Sequence, residues 1–227
     1  MKAMILAAGR GERMRPLTDT TPKPLLRVGE HRLIEYHLRA LVRAGIREVI
    51  INLGHLGEQI EAFLDDGKRY GLSISYSREG ERILDTGGGV YRALPMLGPG
   101  PFLVLNGDIF TDYPFEQLLS QPAGLAHVVL VANPSHHPQG DFVLTDGQVR
   151  AEGVPRLTFS GIGVYREELF AACVDGVFPL TPLLRRAMAS EKISGERYLG
   201  IWRDVGTPQR LTELNADLEK QSFRHLK

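Results

Sequence analysis

Short apolar runs separated by helix-like segments recur along almost the whole chain, and this alternation constrains the fold more than any other feature of the sequence. Between the runs, apolar residues recur at helical spacing. Strand–helix–strand units of this kind predict a mainly parallel sheet covered by helices on both faces. The runs that predict buried strands are Ala3–Ala8, Glu48–Asn52, Ser73–Ser77, Phe102–Asn106, His127–Ala132, Leu157–Tyr165 and Leu199–Arg203.

The segments between these runs carry the helical patterns. From Leu33 to Val42 apolar residues share one face, and Gly45 stands where a helix C-cap is expected. Pro95 and the glycine–proline loop after it are expected to stop the helix that begins near Gly88. The predicted helices are Leu33–Val42, Ile60–Leu64 with an end near Gly67, Gly88–Leu94, Thr181–Ser190 and Thr207–Gln221.

An antiparallel hairpin is predicted in the later half of the chain. Phe142–Leu144 and Val149 flank an Asp146-Gly147 pair, which is a strong turn signal. No internal repeat or long linker divides the sequence. We therefore expect a single α/β domain spanning residues 1–227. It should be a Rossmann-like three-layer sandwich with a mixed, mostly parallel sheet, helices on both faces and an added antiparallel hairpin.

Composition and charge exclude several classes of protein. The chain has 27 Lys and Arg residues against 27 Asp and Glu residues, so it lacks the long-range field of non-specific nucleic-acid binders. Hydrophobic residues make up 43%, which excludes wholesale disorder. No apolar stretch approaches the roughly 18 residues of a membrane span, and Cys173 alone cannot form an internal disulfide. We expect a cytoplasmic protein with neither nucleic acid nor membrane as a partner.

The first predicted strand runs directly into a glycine-rich turn, Gly9–Pro16. Such a turn brings backbone N–H groups close to a ligand, and a phosphate suits that concavity. The dinucleotide-binding pattern needs a glycine where Met14 stands, and the closing Gly-Lys-Ser/Thr of a P-loop is absent. Arg13 and Arg15 lie two residues apart instead, and Lys23 stands between two prolines that favour a stiff, extended, exposed segment. These cations predict a polyphosphate site.

Two aspartates follow predicted strands. Asp108 comes after Phe102–Asn106, and Asp204 comes after Leu199–Arg203. Ligands of open α/β sheets bind at the carboxyl ends of the strands, and Mg²⁺ is commonly held by one or two carboxylates plus substrate phosphates. Each aspartate could equally cap a following helix, and Gly206–Pro208 can itself begin one.

The run Leu6–Thr18, followed by Pro22–Leu25, resembles the signature of the sugar-1-phosphate nucleotidyltransferases. Members of this family make nucleotide sugars from a nucleoside triphosphate and a sugar phosphate. The resemblance covers nearly the whole chain. It implies the fold of the nucleotide-diphospho-sugar transferases, Mg²⁺ as cofactor, and a glycine loop that wraps the triphosphate.

Residue roles are implied by the same resemblance, position by position. The implied catalytic residues are Arg13 and Lys23, which neutralise the phosphates. The implied nucleotide-binding residues are Ala8, Gly9, Gly11, Glu12, Arg13, Lys23 and Gly88, the last of which would contact the base through its main chain. The implied sugar-phosphate-binding residues are Asn106, Asp141, Glu152 and Gly161, and the implied Mg²⁺ ligands are Asp108 and Asp204. On the residues alone, the glycines around Gly88 fit a helix start equally well.

The sequence departs from the family pattern at two places. Glu12 stands where many members have Thr, so no phosphate contact is assigned to it. Glu152-Gly153-Val154 stands where many members have Glu-Lys-Pro, so a lysine beside the sugar phosphate is missing. That phosphate would then depend on Lys23, the metal and another arginine.

Within the family, the short form without a C-terminal repeat domain most resembles the members that act on N-acetylmuramate 1-phosphate in peptidoglycan recycling. The expected reaction converts UTP and the sugar 1-phosphate into a UDP-sugar and pyrophosphate, and a monomer or weak dimer is expected. A mannose-1-phosphate guanylyltransferase is the alternative enzyme. A non-catalytic nucleotide-sugar sensor is the alternative from another class, although Lys23, Asp108 and Asp204 favour turnover.

Overall fold

The computed structural model describes residues 1–80, 82–120 and 124–220. The strands within them are β1 (Lys2–Leu6), β2 (Arg27–Val28), β3 (His31–Arg32), β4 (Glu48–Leu53), β5 (Ser73–Arg78), β6 (Phe102–Asn106), β7 (Ile109–Thr111), β8 (Ala126–Val131), β9 (Val143–Thr145), β10 (Gln148–Arg150), β11 (Thr158–Tyr165), β12 (Ile193–Arg197) and β13 (Trp202–Asp204). The α-helices are α1 (Leu33–Arg43), α2 (Gly57–Leu64), α3 (Asp85–Leu97), α4 (Thr181–Met188) and α5 (Pro208–Glu219).

Nine strands of the described residues form one mixed sheet in the order β5-β4-β1-β6-β11-β8-β12-β10-β9. The first half is parallel, with β1 paired to both β4 and β6 and with β4 paired to β5. Strand β11 then runs antiparallel between β6 and β8. The β9–β10 hairpin is attached to β12. This arrangement confirms the predicted fold class.

Side chains of β1 point alternately to the two faces of the sheet and produce three layers. Ala3 and Ile5 pack into the core that α1 and α2 cover. Met4 packs into the opposite core, under α3 and α4. A third apolar cluster joins Leu211 and Leu214 of α5 to Val205. Because β1 is buried on both faces, it can contain only apolar residues along its centre.

Most predicted elements agree with the observed ones to within a few residues, and Phe102–Asn106 agrees at both ends. The predicted strand Leu199–Arg203 is only partly observed, because it starts later and lies outside the main sheet. Leu199 is 79% exposed, and only Trp202–Asp204 forms a strand there, paired with β7 outside the main sheet. The main-sheet strand in this region is β12, whose polar residues hid it from the apolar pattern.

Helix α3 corrects the prediction that Pro95 stops it. The helix begins at Asp85, continues through Pro95 and ends at Leu97, with Gly98 as its C-cap at a φ of +81°. Pro95 cannot donate to the Tyr91 carbonyl, but only two helical residues follow it, so little of the helix is displaced by the disruption. The predicted final helix is observed as α5, and Gln221 lies outside the described residues.

Candidate active site

A cavity of about 780 Å³ opens where β1 and β6 end. It brings together many of the residues that the sequence singled out. Those that line it are Ala8, Gly9, Gly11, Glu12, Arg13, Lys23, Asn106 and Asp108. The lining also contains residues that the sequence analysis did not select, namely Asn52, Glu79, Asp85, Thr86 and Val177.

The glycine loop owes its shape to one residue with a positive φ. Gly11 has a φ of +62°, and a Cβ on it would lie 2.9 Å from the Thr18 methyl carbon. The Gly11 carbonyl accepts hydrogen bonds from the Met14 N–H and the Thr18 hydroxyl. This turn directs Arg13 to the cavity, whereas Arg15 forms a salt bridge with Asp19. Only one of the two predicted arginines therefore faces the site.

Lys23 is buried and ion-paired, which corrects the prediction of an exposed lysine on an extended segment. Its side chain is 10% exposed, and Nζ lies 2.6 Å from Asp108 Oδ2. The residues Lys23–Leu25 form one turn of 3₁₀ helix. Pro24 fits that turn because its position needs no N–H donor. The ion pair offsets the cost of burying the ammonium group.

Backbone pairing brings the segments that carry the two predicted metal ligands next to each other. Strand β13 runs antiparallel to β7 and places Asp204 opposite Ile109, the residue after Asp108. The Val205 N–H donates to the Asp108 carbonyl at 2.9 Å. This small two-stranded ladder brings the two chain segments together; Asp108 lines the cavity, whereas Asp204 is not among its lining residues.

Neither aspartate is a helix cap. The N-cap of α5 is Thr207, whose hydroxyl accepts a hydrogen bond from the Arg210 N–H. Asp108 is followed by strand β7 and not by a helix. The capping alternative is therefore wrong for both Asp204 and Asp108. Their carboxylates form ion pairs instead, Asp108 with Lys23 and Asp204 with Arg210.

The donor set fits a hard divalent cation. Asp108 and Asp204 offer carboxylate oxygens, and their side chains are 36% and 22% exposed, so both can reach a ligand. Among the described residues, no group of three or more His, Cys, Asp or Glu side chains could hold a metal. Two carboxylates with substrate phosphates match the way in which proteins commonly bind Mg²⁺.

Asp204 has two cationic or polar partners that the sequence did not reveal. Arg210 Nη1 lies 2.6 Å from Asp204 Oδ2, and His136 Nε2 lies 3.3 Å from the same oxygen. His137 contacts Asp141 at 3.0 Å. The His136–His137 loop therefore contacts two of the predicted site residues, Asp204 and Asp141. Arg210 could have been noticed as the residue that follows the α5 N-cap by three positions.

The predicted sugar-side residues are only partly assembled. Asn106 lines the cavity, and Gly161 packs against it so closely that a Cβ would lie 2.5 Å from Asn106 Nδ2. Asp141 uses one carboxylate oxygen to accept the Phe159 N–H at 2.8 Å. Glu152 is exposed and lines a different surface cavity together with Arg150. The structure does not bring Glu152 to the glycine loop.

Gly88 lies behind the cavity wall and not in it. Its N–H donates to the Phe178 carbonyl at 3.0 Å, and a Cβ would collide with the Gly176 carbonyl. Asp85 and Thr86, one turn earlier in α3, are the residues of this helix that line the cavity. Base contact by the Gly88 main chain stays a prediction, but its N–H already has a partner.

A buried histidine lies close to the ion pair and is neutral. His37 of α1 is 1% exposed, and burial lowers its pKa to about 4, an effect that the Asp108 carboxylate opposes only in part. At neutral pH His37 therefore carries no charge that competes with Lys23 for Asp108. Lys23 is the cation paired with this carboxylate.

The chain belongs to the nucleotidyl transferase family, whose model matches residues 2–153. It is 52% identical to the N-acetylmuramate alpha-1-phosphate uridylyltransferase of Neisseria meningitidis serogroup B, over 95% of this chain and 97% of that protein. It is 32% identical to the mannose-1-phosphate guanylyltransferase catalytic subunit beta of Xenopus tropicalis, over 92% of this chain and 62% of that protein.

The fold is also that of known nucleotidyltransferase structures. A putative glucose-1-phosphate thymidylyltransferase from Bacillus anthracis superposes with a TM-score of 0.83 at 23% identity, over 95% of this chain and 94% of that one. The family and the class of enzyme predicted from the glycine loop are thus confirmed.

Lys23→Ala is expected to lower turnover by about a hundredfold or more, because removing one group that stabilises transition-state charge has an effect of this size. It should also lower the melting temperature, since Asp108 loses its buried partner. The matched control is Lys68→Ala, which breaks a 2.6 Å ion pair with Asp66 at an 87% exposed lysine. Steady-state rates and melting curves are the measurements. Wild-type activity in folded Lys23→Ala would refute the assignment.

Asp108→Asn and Asp204→Asn are expected to need far more Mg²⁺ for half-maximal rate, because each loses a negative charge while keeping its size. Melting temperatures should change less, since an asparagine oxygen can still accept from Lys23 or Arg210. The measurement is a Mg²⁺ titration of the rate, with Asp66→Asn as control. If Asp204→Asn needs no more Mg²⁺ than the wild type, Asp108 is the sole protein ligand, and a metal site made by both aspartates is contradicted.

Proposed function

We propose that this protein transfers the uridylyl group of UTP to N-acetylmuramate 1-phosphate, producing UDP-N-acetylmuramate and pyrophosphate. The observation that carries the reaction type is one cavity containing the glycine loop with Arg13, the Lys23–Asp108 ion pair and Asn106. The base and the sugar are proposed from the 52% identity to a uridylyltransferase across nearly both full lengths. A role in peptidoglycan recycling follows from that choice of sugar.

The reaction needs charge neutralisation more than acid–base catalysis. A phosphate oxygen of the sugar phosphate attacks the α-phosphorus of UTP in line, and the bond to pyrophosphate breaks. This nucleophile is already anionic at neutral pH, so no protein base has to remove a proton. The protein holds the two substrates in line and offsets their negative charge. Arg10, Arg13 and Lys23 are the cations that line the cavity, and we assign this role to Arg13 and Lys23.

Nucleotidyltransferases of this family generally use a divalent metal, and we propose Mg²⁺ for this chain. Asp108 and Asp204 would hold the ion, which would supply charge neutralisation and orient the phosphates. Lys23 already contacts Asp108, so it lies within reach of any phosphate that approaches this carboxylate.

On the sugar side, Arg210 offers the positive charge that the missing lysine would have supplied. Its guanidinium is 19% exposed and pairs with Asp204. Two other arginines donate to neighbouring backbone carbonyls instead, Arg27 to Glu30 and Arg156 to Gly153. We therefore propose Arg210, with Asn106, as the sugar-phosphate side of the site.

Location and assembly are part of the proposal. No helix of the described residues is long and apolar enough to cross a membrane. We propose a single catalytic domain over residues 1–227 that acts in the cytoplasm as a monomer or weak dimer. Its partners are a nucleoside triphosphate and a sugar phosphate.

A panel of four nucleoside triphosphates against several sugar 1-phosphates tests the proposal, with pyrophosphate release as the measurement. UTP with N-acetylmuramate 1-phosphate should give the highest kcat/KM, by about tenfold or more over other pairs. Release should require both the sugar phosphate and a divalent cation. A preference for GTP with mannose 1-phosphate would favour the guanylyltransferase alternative. Binding of a nucleotide without release of pyrophosphate would favour the non-catalytic sensor.

A further inference from the structure

We infer that a buried pair, Asn52 and Glu79, is a positioning brace that holds the two walls of the nucleotide cavity at a set separation. This inference rests on the proposed function and assigns no chemical step to either residue. Asn52 lies in β4, and Glu79 follows β5. Both are 3% exposed and are among the residues that line the cavity.

Three hydrogen bonds make up the brace. The Ala7 N–H, at the start of the glycine loop, donates to Asn52 Oδ1 at 2.6 Å. Asn52 Nδ2 donates to Glu79 Oε1 at 2.6 Å. The Leu84 N–H, directly before α3, donates to Glu79 Oε2 at 2.7 Å. A continuous chain of hydrogen bonds therefore runs from the glycine-loop wall to the α3 wall.

The neighbouring helix is shaped to accept the brace. A Cβ on Gly89 would lie 2.7 Å from Glu79 Oε1 and 2.9 Å from Asn52 Nδ2. Only glycine lets α3 approach this closely. On its far side the helix start is held by Leu180, whose N–H donates to the Thr86 hydroxyl at 2.9 Å. The wall that carries Asp85 and Thr86 is thus held from two sides.

The brace works only with one amide and one carboxylate. Both ends of the chain are backbone N–H donors, so Asn52 and Glu79 must each present an acceptor outward and share one donor between them. The pKa of Glu79 is raised, chiefly by burial, although the hydrogen bonds from Leu84 and Asn52 oppose this. Two amides would leave two N–H groups facing each other, and two ionised carboxylates would leave two oxygens facing each other.

This logic predicts a rescue. Glu79→Gln and Asn52→Asp should each break the brace, because neither can satisfy all of its contacts. The double variant Asn52→Asp/Glu79→Gln keeps the net charge and can restore all three hydrogen bonds. In it, the side chain at position 79 donates to the side chain at position 52, the reverse of the wild-type direction. The new carboxylate at position 52 would accept from Ala7 and from the new amide at position 79. The oxygen of that amide would accept from the Leu84 N–H.

The experiment measures KM for UTP, KM for the sugar phosphate and kcat, together with the melting temperature with and without UTP. Each single variant should raise KM for UTP by about tenfold or more, because small displacements of substrate-positioning groups have large effects. KM for the sugar phosphate should change less. The double variant should return KM for UTP to within about threefold of wild type, a partial recovery expected when coupled residues are restored together.

Ser194→Ala is the matched control, because it removes another partly buried hydrogen bond, 2.9 Å from Ser194 Oγ to His127 Nδ1, several strands away. It should lower the melting temperature without raising KM for UTP. The inference is overturned if the single variants bind UTP like wild type, or if the double variant is no better than the worse single one. If wild type shows no turnover, the proposed function fails, and the UTP-induced shift in melting temperature still tests the brace.

Discussion

The parallel pairing of β1 with β4 and β6 is the constraint on which the site depends. Because the three strands run in the same direction, their carboxyl ends meet at one edge of the sheet. The glycine loop leaves β1 there, Asn52 lies near the end of β4, and Asn106 ends β6. Met4 and its neighbours in β1 are fully buried, so a one-residue slip in register would move every side chain to the wrong face.

Two ion pairs partly compensate the charges of the site before any ligand binds. Lys23 pairs with Asp108, and Arg210 pairs with Asp204. Buried or half-buried charges are costly unless they are paired, and these pairs reduce that cost. In the proposed reaction the phosphates bring negative charge to the same cations. Binding therefore requires an exchange of partners, and neutral His37 does not interfere with it.

Local patterns predicted most of the fold because strand and helix periodicities are read over a few residues. The run Phe102–Asn106 and the Asp146-Gly147 turn were found in this way. Strand β12 was missed because its polar residues leave no apolar run. Its place in the sheet comes from pairing with β8 and β10. Helix α3 includes Pro95, and only two helical residues follow the proline, so the disruption it causes affects only the last turn.

The sequence by itself determined the glycine loop, the lysine between two prolines and the strand-end aspartates, since each is defined by its immediate neighbours. Only the tertiary structure decided that Lys23 is buried against Asp108, that Glu152 lies away from the cavity, and that Arg210 and His136 contact Asp204. The contacts of Lys23 with Asp108 and of His136 with Asp204 join segments distant in the chain, and Arg210 meets Asp204 only because the chain turns between β13 and α5. Pairing of distant strands, such as β13 with β7, positions these segments, and no local pattern encodes it.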